Sequence, residues 1–237
     1  MMVVEILFPE SCNLYGDGLN VQYLRQTLPD AEFICTPITD EPYFVKHDPD
    51  FIYLGGTSES IQRRIIEKLM PLKDRILELV DKGVVFLATG NAGEIFARKI
   101  SYVAEKLEVN GLGIFDLDVK TDWFGRYNGK VLGTVDGIKV TGFRTQFSFL
   151  YGDNSKCYFA ECTRGVGINK DSRLEGMRRN NLICTQLIGP LLVLNPLLCK
   201  YLLELCCCDA QPAHWDAAMA AYEQRVKEFE DPSTKFQ

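Results

Sequence analysis

The sequence predicts an α/β protein with a mostly parallel sheet flanked by helices and an antiparallel extension. Three observations predict it. Apolar, β-rich runs (VVEILF, EFICTPI, FIYLGG, VVFLATG) alternate with helical patterns through the first half, which is the signature of βαβ units. After about Leu112 the texture changes to VLGTV, Asp-Gly and IKVTGF, a hairpin with a turn signal. A chain of 237 residues, 46% hydrophobic and 24% charged, is long enough for one main domain with a short appendage.

Taken in order, MMVVEILFPE reads as a first buried strand; interrupted by Glu5 and Pro9, it is too short for a signal peptide or membrane span. A helix follows from about Asn20 to Leu28. A long helical pattern from about Ser60 to Lys82 contains Pro71, which removes a backbone donor and must kink or split it, and Gly83 supplies the C-cap. LATGNAGEIF is a strand, a glycine turn and the start of another helix. CYFAECT and NLICTQLI continue as strands. Asn195 caps a buried helix that opens with Pro196. In WDAAMAAYEQRVKEFE, Trp215, Met219, Tyr222, Val226 and Phe229 make one apolar stripe, which docks on its own domain or on a partner.

The net charge of −6 gives no basic patch for nucleic acid or an anionic membrane. Nine cysteines without metal-ligand or disulfide-framework spacing suggest free thiols in a reducing cytoplasm. Cys206, Cys207 and Cys208 cannot converge on one ion, because successive helical positions point about 100° apart. No cofactor is implied: TGNAGE lacks the Lys-Ser/Thr of a phosphate loop and the spacing of a dinucleotide fingerprint.

Ligands of such sheets sit at the carboxyl ends of strands, so the loops of interest are Leu14 to Gly18, Gly55 to Glu59 and Thr89 to Glu94. A strand-turn-helix elbow is where α/β enzymes often mount a nucleophile, but its tip here is Gly90. The two histidines, His47 and His214, lie in a polar connection and at the start of the tail helix. Thr89 and Ser58 would need a base, Glu94 is the only acid close by, and Cys184 sits among apolar neighbours as a core thiol. Asp17 reads as the cap of the following helix. A glycine elbow still admits close backbone approach by a ligand, and the free N–H groups of TGNAG at a helix head suit a carboxylate or phosphate; a tight structural turn fits equally.

NLYGD after the first strand, the di-glycine loop after FIYL, the VFLATGNAGE elbow and the late GPLLVLNPLL together resemble the class I glutamine amidotransferases of the cobyric acid synthase type, including the amidotransferase subunits of lipid II isoglutaminyl synthases. The resemblance runs from about residue 3 to 204. It implies a flavodoxin-like three-layer fold over residues 1–209; residues 210–237, read from their apolar stripe, stand beyond it as a C-terminal amphipathic helix packing on that domain or on a partner. It also implies that the family's cysteine falls on Gly90, its glutamine on Glu94, its histidine on Ile188 and, with weaker register, an acidic residue on Lys200. Gly55 and Gly56 match a loop that helps build the oxyanion hole. In the substrate-side stretch GFRTQFSFL, Gly142 and Phe143 survive while the polar groups do not.

The departures concentrate where the chemistry would be, leaving no catalytic residue at the nucleophile position Gly90 or the histidine position Ile188. The expected function is therefore a non-catalytic or regulatory amidotransferase-like subunit, with a Mur-ligase-like partner in cell-wall precursor amidation. One alternative is a binding module for an amino acid or anion, with Gly55, Gly56, Gly90, Asn91 and Glu94 as ligand-binding residues. Another is an active enzyme with a non-standard nucleophile. No metal site is expected.

Overall fold

The computed structural model describes residues 1–237. The first half alternates as expected: β1 (Val3–Leu7), α1 (Gly18–Thr27), β2 (Glu32–Thr36), β3 (Phe51–Leu54), α2 (Glu59–Leu69), α3 (Lys73–Asp81) and β4 (Val85–Thr89). Pro71 splits the long helical pattern: α2 and α3 are separated by a 3-10 turn over Met70–Leu72. Gly83, at φ +87°, closes α3, with its N–H donating to Val80 O at 3.1 Å.

The expected helix after the elbow is a correction. Gly90–Phe96 is a single 3-10 stretch whose residues are buried, all except Asn91. Two glycines in seven residues weaken any α-helix, and so short a piece has no sustained dipole to offer an anion.

The second half supplies β5 (Lys99–Tyr102), β6 (Leu107–Asn110), β7 (Asp118–Thr121), β8 (Tyr127–Val135), β9 (Ile138–Gln146), β10 (Ser148–Tyr151), β11 (Ala160–Arg164), β12 (Leu174–Glu175), β13 (Met177–Arg179) and β14 (Leu182–Thr185). Helices α4 (Leu191–Leu194), α5 (Pro196–Leu205) and α6 (Trp215–Glu230) follow. The β8–β9 hairpin turns on Asp136 and Gly137, both at positive φ, as a two-residue primed turn requires.

The central sheet runs β13-β14-β4-β3-β1-β2, parallel apart from β13 at its edge. Without β13 this is the flavodoxin-like order. The later strands do more than extend it: they form two further four-stranded sheets, the mixed β10-β7-β5-β6, in which β5 and β7 run parallel, and the antiparallel β12-β11-β8-β9. Side chains alternate between two cores. Ile52, Leu54, Phe86 and Ala88 face one way, with Ile65, Leu79, Ile100 and Val119. Phe51, Tyr53, Val85 and Leu87 face the other, with Leu24, Val131, Leu198 and Leu202.

α6 buries Tyr222, Val226 and Phe229 against this second side, while Trp215 and Met219 are half-buried. The Tyr222 hydroxyl donates to Lys139 O at 2.8 Å and Arg225 donates to Leu194 O at 2.7 Å.

Candidate functional site

Parallel register aligns the carboxyl ends of the central strands: Leu7 pairs with Leu54, Leu54 with Ala88, and Thr89 with Thr185. The three loops singled out above therefore meet. Leu14 N donates to Gly56 O at 3.1 Å. Gly56 N donates to the Asp17 carboxylate at 2.8 Å, and Thr57 N donates to Asn91 Oδ1 at 2.9 Å.

Asp17 is the centre of this meeting, and its role differs from the capping expected of it. It stands before α1, but its side chain makes no cap hydrogen bond. Fully buried, it accepts from Gly56 N, from Thr89 Oγ1 at 2.8 Å and from Asn20 Nδ2 at 3.3 Å. Thr89 Oγ1 also lies 3.0 Å from the Tyr53 hydroxyl, to which Asn20 donates at 2.9 Å. Burial pushes the Asp17 carboxyl up, against the hydrogen bonds from Gly56 and Thr89 that favour its charge. The Gly56 N–H and the Thr89 hydroxyl are thus both engaged from behind.

Gly90 sits at the tip with φ +59°. A Cβ built on it would find ordinary space, 3.6 Å from Gly56 Cα and 3.6 Å from Ile188 Cγ2. Position 90 therefore points at position 188, the two places where the resemblance puts nucleophile and histidine. Ile188 is held there by reciprocal backbone bonds with Phe143, 3.1 and 3.0 Å. Gly142 packs tightly beside it, where a Cβ would lie 3.0 Å from Leu187 Cβ.

Gly90 and Ile188 open onto a small cavity of about 130 Å³, whose walls include Thr57, Asn91, Gln146 and Gln186. That is below the ~300–1,000 Å³ of drug-sized ligand sites. Of the five ligand-binding candidates, Gly90 and Asn91 line it, whereas Gly55, Gly56 and Glu94 are buried and do not. At Gly55 the chain passes so close to Cys12 that a Cβ would be 2.3 Å from its carbonyl oxygen. That glycine is required by packing alone.

Glu94 is buried under the cavity floor. It accepts from Gln62 Nε2 at 2.9 Å, from Gln186 Nε2 at 2.8 Å and from the Ser148 hydroxyl. Burial raises its carboxyl above the usual range, opposed by these three donors. Gln186 carries the network onward, its N–H donating to Glu175 Oε1 at 2.8 Å, and Glu175 pairs with the buried Arg144 at 3.2 Å.

The remaining chemistry is elsewhere. His47 is exposed and stacked on Tyr43 at 4.1 Å between centroids, and His214 is exposed before α6. Lys200 lies on α5, 3.9 Å from Glu204. Burial pushes the thiols of Cys12, Cys162, Cys199 and Cys206 up to about 12 and Cys184 well above its usual value. The site residues that sequence reasoning missed are Gln62, Gln146, Ser148 and Gln186. The only signal for Gln146, Ser148 and Gln186 was polarity among apolar neighbours, and Gln62, followed by Arg63 and Arg64, gave none.

Known proteins agree with this architecture. Residues 3–193 match the model of the CobB/CobQ-like glutamine amidotransferase domain. The GatD subunit of lipid II isoglutaminyl synthase (glutamine-hydrolyzing) from Staphylococcus aureus is 28% identical over 208 residues, covering 84% of this chain and 81% of that protein. A glutamine amidotransferase crystal structure superposes with a TM-score of 0.54 at 15% identity, over 85% of this chain and 98% of the other. A glutamine amidotransferase from Thermotoga maritima gives 0.53 at 11% identity, over 98% and 86%. With a family model spanning most of its length and these strands in this order, the chain belongs to the CobB/CobQ-like glutamine amidotransferase family.

Proposed function

We propose that this chain is an amidotransferase-like subunit that has lost glutaminase activity and serves a non-catalytic or regulatory role in an assembly. The observation that carries the reading is the pairing of Gly90 with Ile188: nucleophile and base positions face each other, and neither side chain can transfer a proton or form a covalent bond. Two further features support it. The Gly56 N–H, in the loop that would stabilise an oxyanion, is already given to Asp17. The hydroxyl of Thr89, the nearest alternative nucleophile, is buried and bonded to Asp17 and Tyr53.

The similarity to a subunit of lipid II isoglutaminyl synthase supports a place in cell-wall precursor amidation beside a Mur-ligase-like partner. A tagged pull-down from the native cell tests this. A stoichiometric ligase-like protein is expected, and recovery of the chain alone would count against it.

A second reading, a ligand-binding module, is favoured by the cavity itself, since the space beside Gly90 survives the loss of the side chains that would have used it. A ligand at a hundred times its dissociation constant would stabilise the fold by about 2.7 kcal/mol. A thermal-shift screen with amino acids, anions and cell-wall precursors would read this.

A further inference from the structure

We propose that the cavity beside Gly90 is a binding site for a small organic cation, an alkylammonium group held without turnover. This rests on the reading that the site no longer hydrolyses glutamine, and it assigns the chemistry of what the site holds instead.

The walls carry the inference. No lysine, arginine or histidine lines the cavity, and its one charged lining residue is the carboxylate of Glu59. The buried carboxylate of Glu94 lies behind the floor, close enough that Glu59 contributes to raising it. Tyr15, Trp123 and Phe147 add three aromatic rings, whose faces attract cations and repel anions. The guanidinium of Arg126 already lies over Phe147, 5.7 Å from the ring centroid, without lining the cavity.

Gln146 supplies an independent observation. It lines the cavity at 7% exposure, and its Nε2 donates to the carbonyl of Ser148, which fixes the amide because that oxygen can only accept. Its Oε1 is left buried with no partner. Buried acceptors are rarely left unpaired, and a donor such as an ammonium N–H would satisfy this one once the side chain turns toward the cavity. The N–H groups of Gly56 and Thr57, the nearest donors on the di-glycine loop, are taken by Asp17 and Asn91. The apolar side of the cavity, Leu14 and Ile188, suits a short alkyl chain.

An NMR titration of the ¹⁵N-labelled full chain tests the proposal, with ethylammonium chloride, sodium propionate and L-glutamine at constant ionic strength. Ethylammonium is expected to shift the amides of Asn91 and Gln146 saturably, and propionate is expected to leave them unmoved. Gln146→Leu is expected to weaken ethylammonium about tenfold, the cost of losing one hydrogen bond to a charged group. Should that variant fail to fold, Glu59→Gln on the cavity rim carries the same test, with an expected weakening of about threefold. Propionate binding as well as ethylammonium, glutamine binding without ethylammonium, or no saturable shift would each overturn it. The two failures separate: ammonia release from glutamine would contradict the loss of activity, whereas an ethylammonium titration without effect contradicts the cation site alone.

Discussion

The missing side chain of Gly90 would point at Ile188, its Cβ 3.6 Å from the isoleucine Cγ2. The two positions at which the resemblance puts a nucleophile and a base therefore face each other, and glycine and isoleucine can be neither. Gly90→Cys has room for its side chain but pays for φ +59°; a loss of about 1–2 kcal/mol is expected, read from the urea midpoint. In the Gly90→Cys, Ile188→His double variant the new thiol is expected to react with iodoacetamide faster than in the single variant, because an adjacent imidazole favours the thiolate.

Asp17 is expected to be the most sensitive polar position. Asp17→Ala leaves the Gly56 N–H unpaired in the interior and takes from the Thr89 hydroxyl one of its two partners, the other being Tyr53, a loss of about 3 kcal/mol. Asp17→Asn, which keeps an acceptor, should lose less. Equilibrium unfolding in urea distinguishes the two, and equal losses would show that the hydrogen bonds are not what Asp17 contributes.

The sequence made the sheet legible and hid the site. FIYL and VFLAT are apolar on both faces, so burial from two sides was readable. Asp17 was not: its position before α1 has the form of a cap, yet its partner Gly56 lies 39 residues away. Likewise GNAGEIF has the composition of a helix start, but its burial and two glycines give a 3-10 turn. Gln62, Gln186 and Ser148 come from a helix, the segment after β14 and a strand far apart in the chain, and only the folded topology brings them to Glu94.

Burial raises the carboxyls of Glu94, Asp17 and Glu5. For an acid whose folded pKa exceeds its unfolded one, the associated stability is complete below the unfolded value and is lost as pH rises through the folded value. Glu94→Gln removes one such group. The wild-type-minus-variant stability is therefore expected to decline from about pH 4.5, the ordinary glutamate value, upward. A difference that grows with pH would contradict the raised carboxyl. Thermal unfolding across pH measures it.

The thiols provide a fourth check. Cys35 and Cys207 are exposed, whereas Cys12, Cys162, Cys184 and Cys199 are buried with raised pKa values. Mass-spectrometric mapping after brief alkylation at mildly alkaline pH should find the first two labelled and the other four protected. Rapid labelling of Cys12, the buried thiol beside the di-glycine loop, would indicate an activated cysteine near the site.

The proposed loss of glutaminase chemistry is tested most directly by ammonia release from L-glutamine by the purified chain, alone and with any partner that copurifies. No release above the buffer rate is expected under either condition, since position 90 offers no nucleophile and position 188 no base. Sustained release that scales with the concentration of the chain would contradict the central claim and require a nucleophile other than the residue at the elbow.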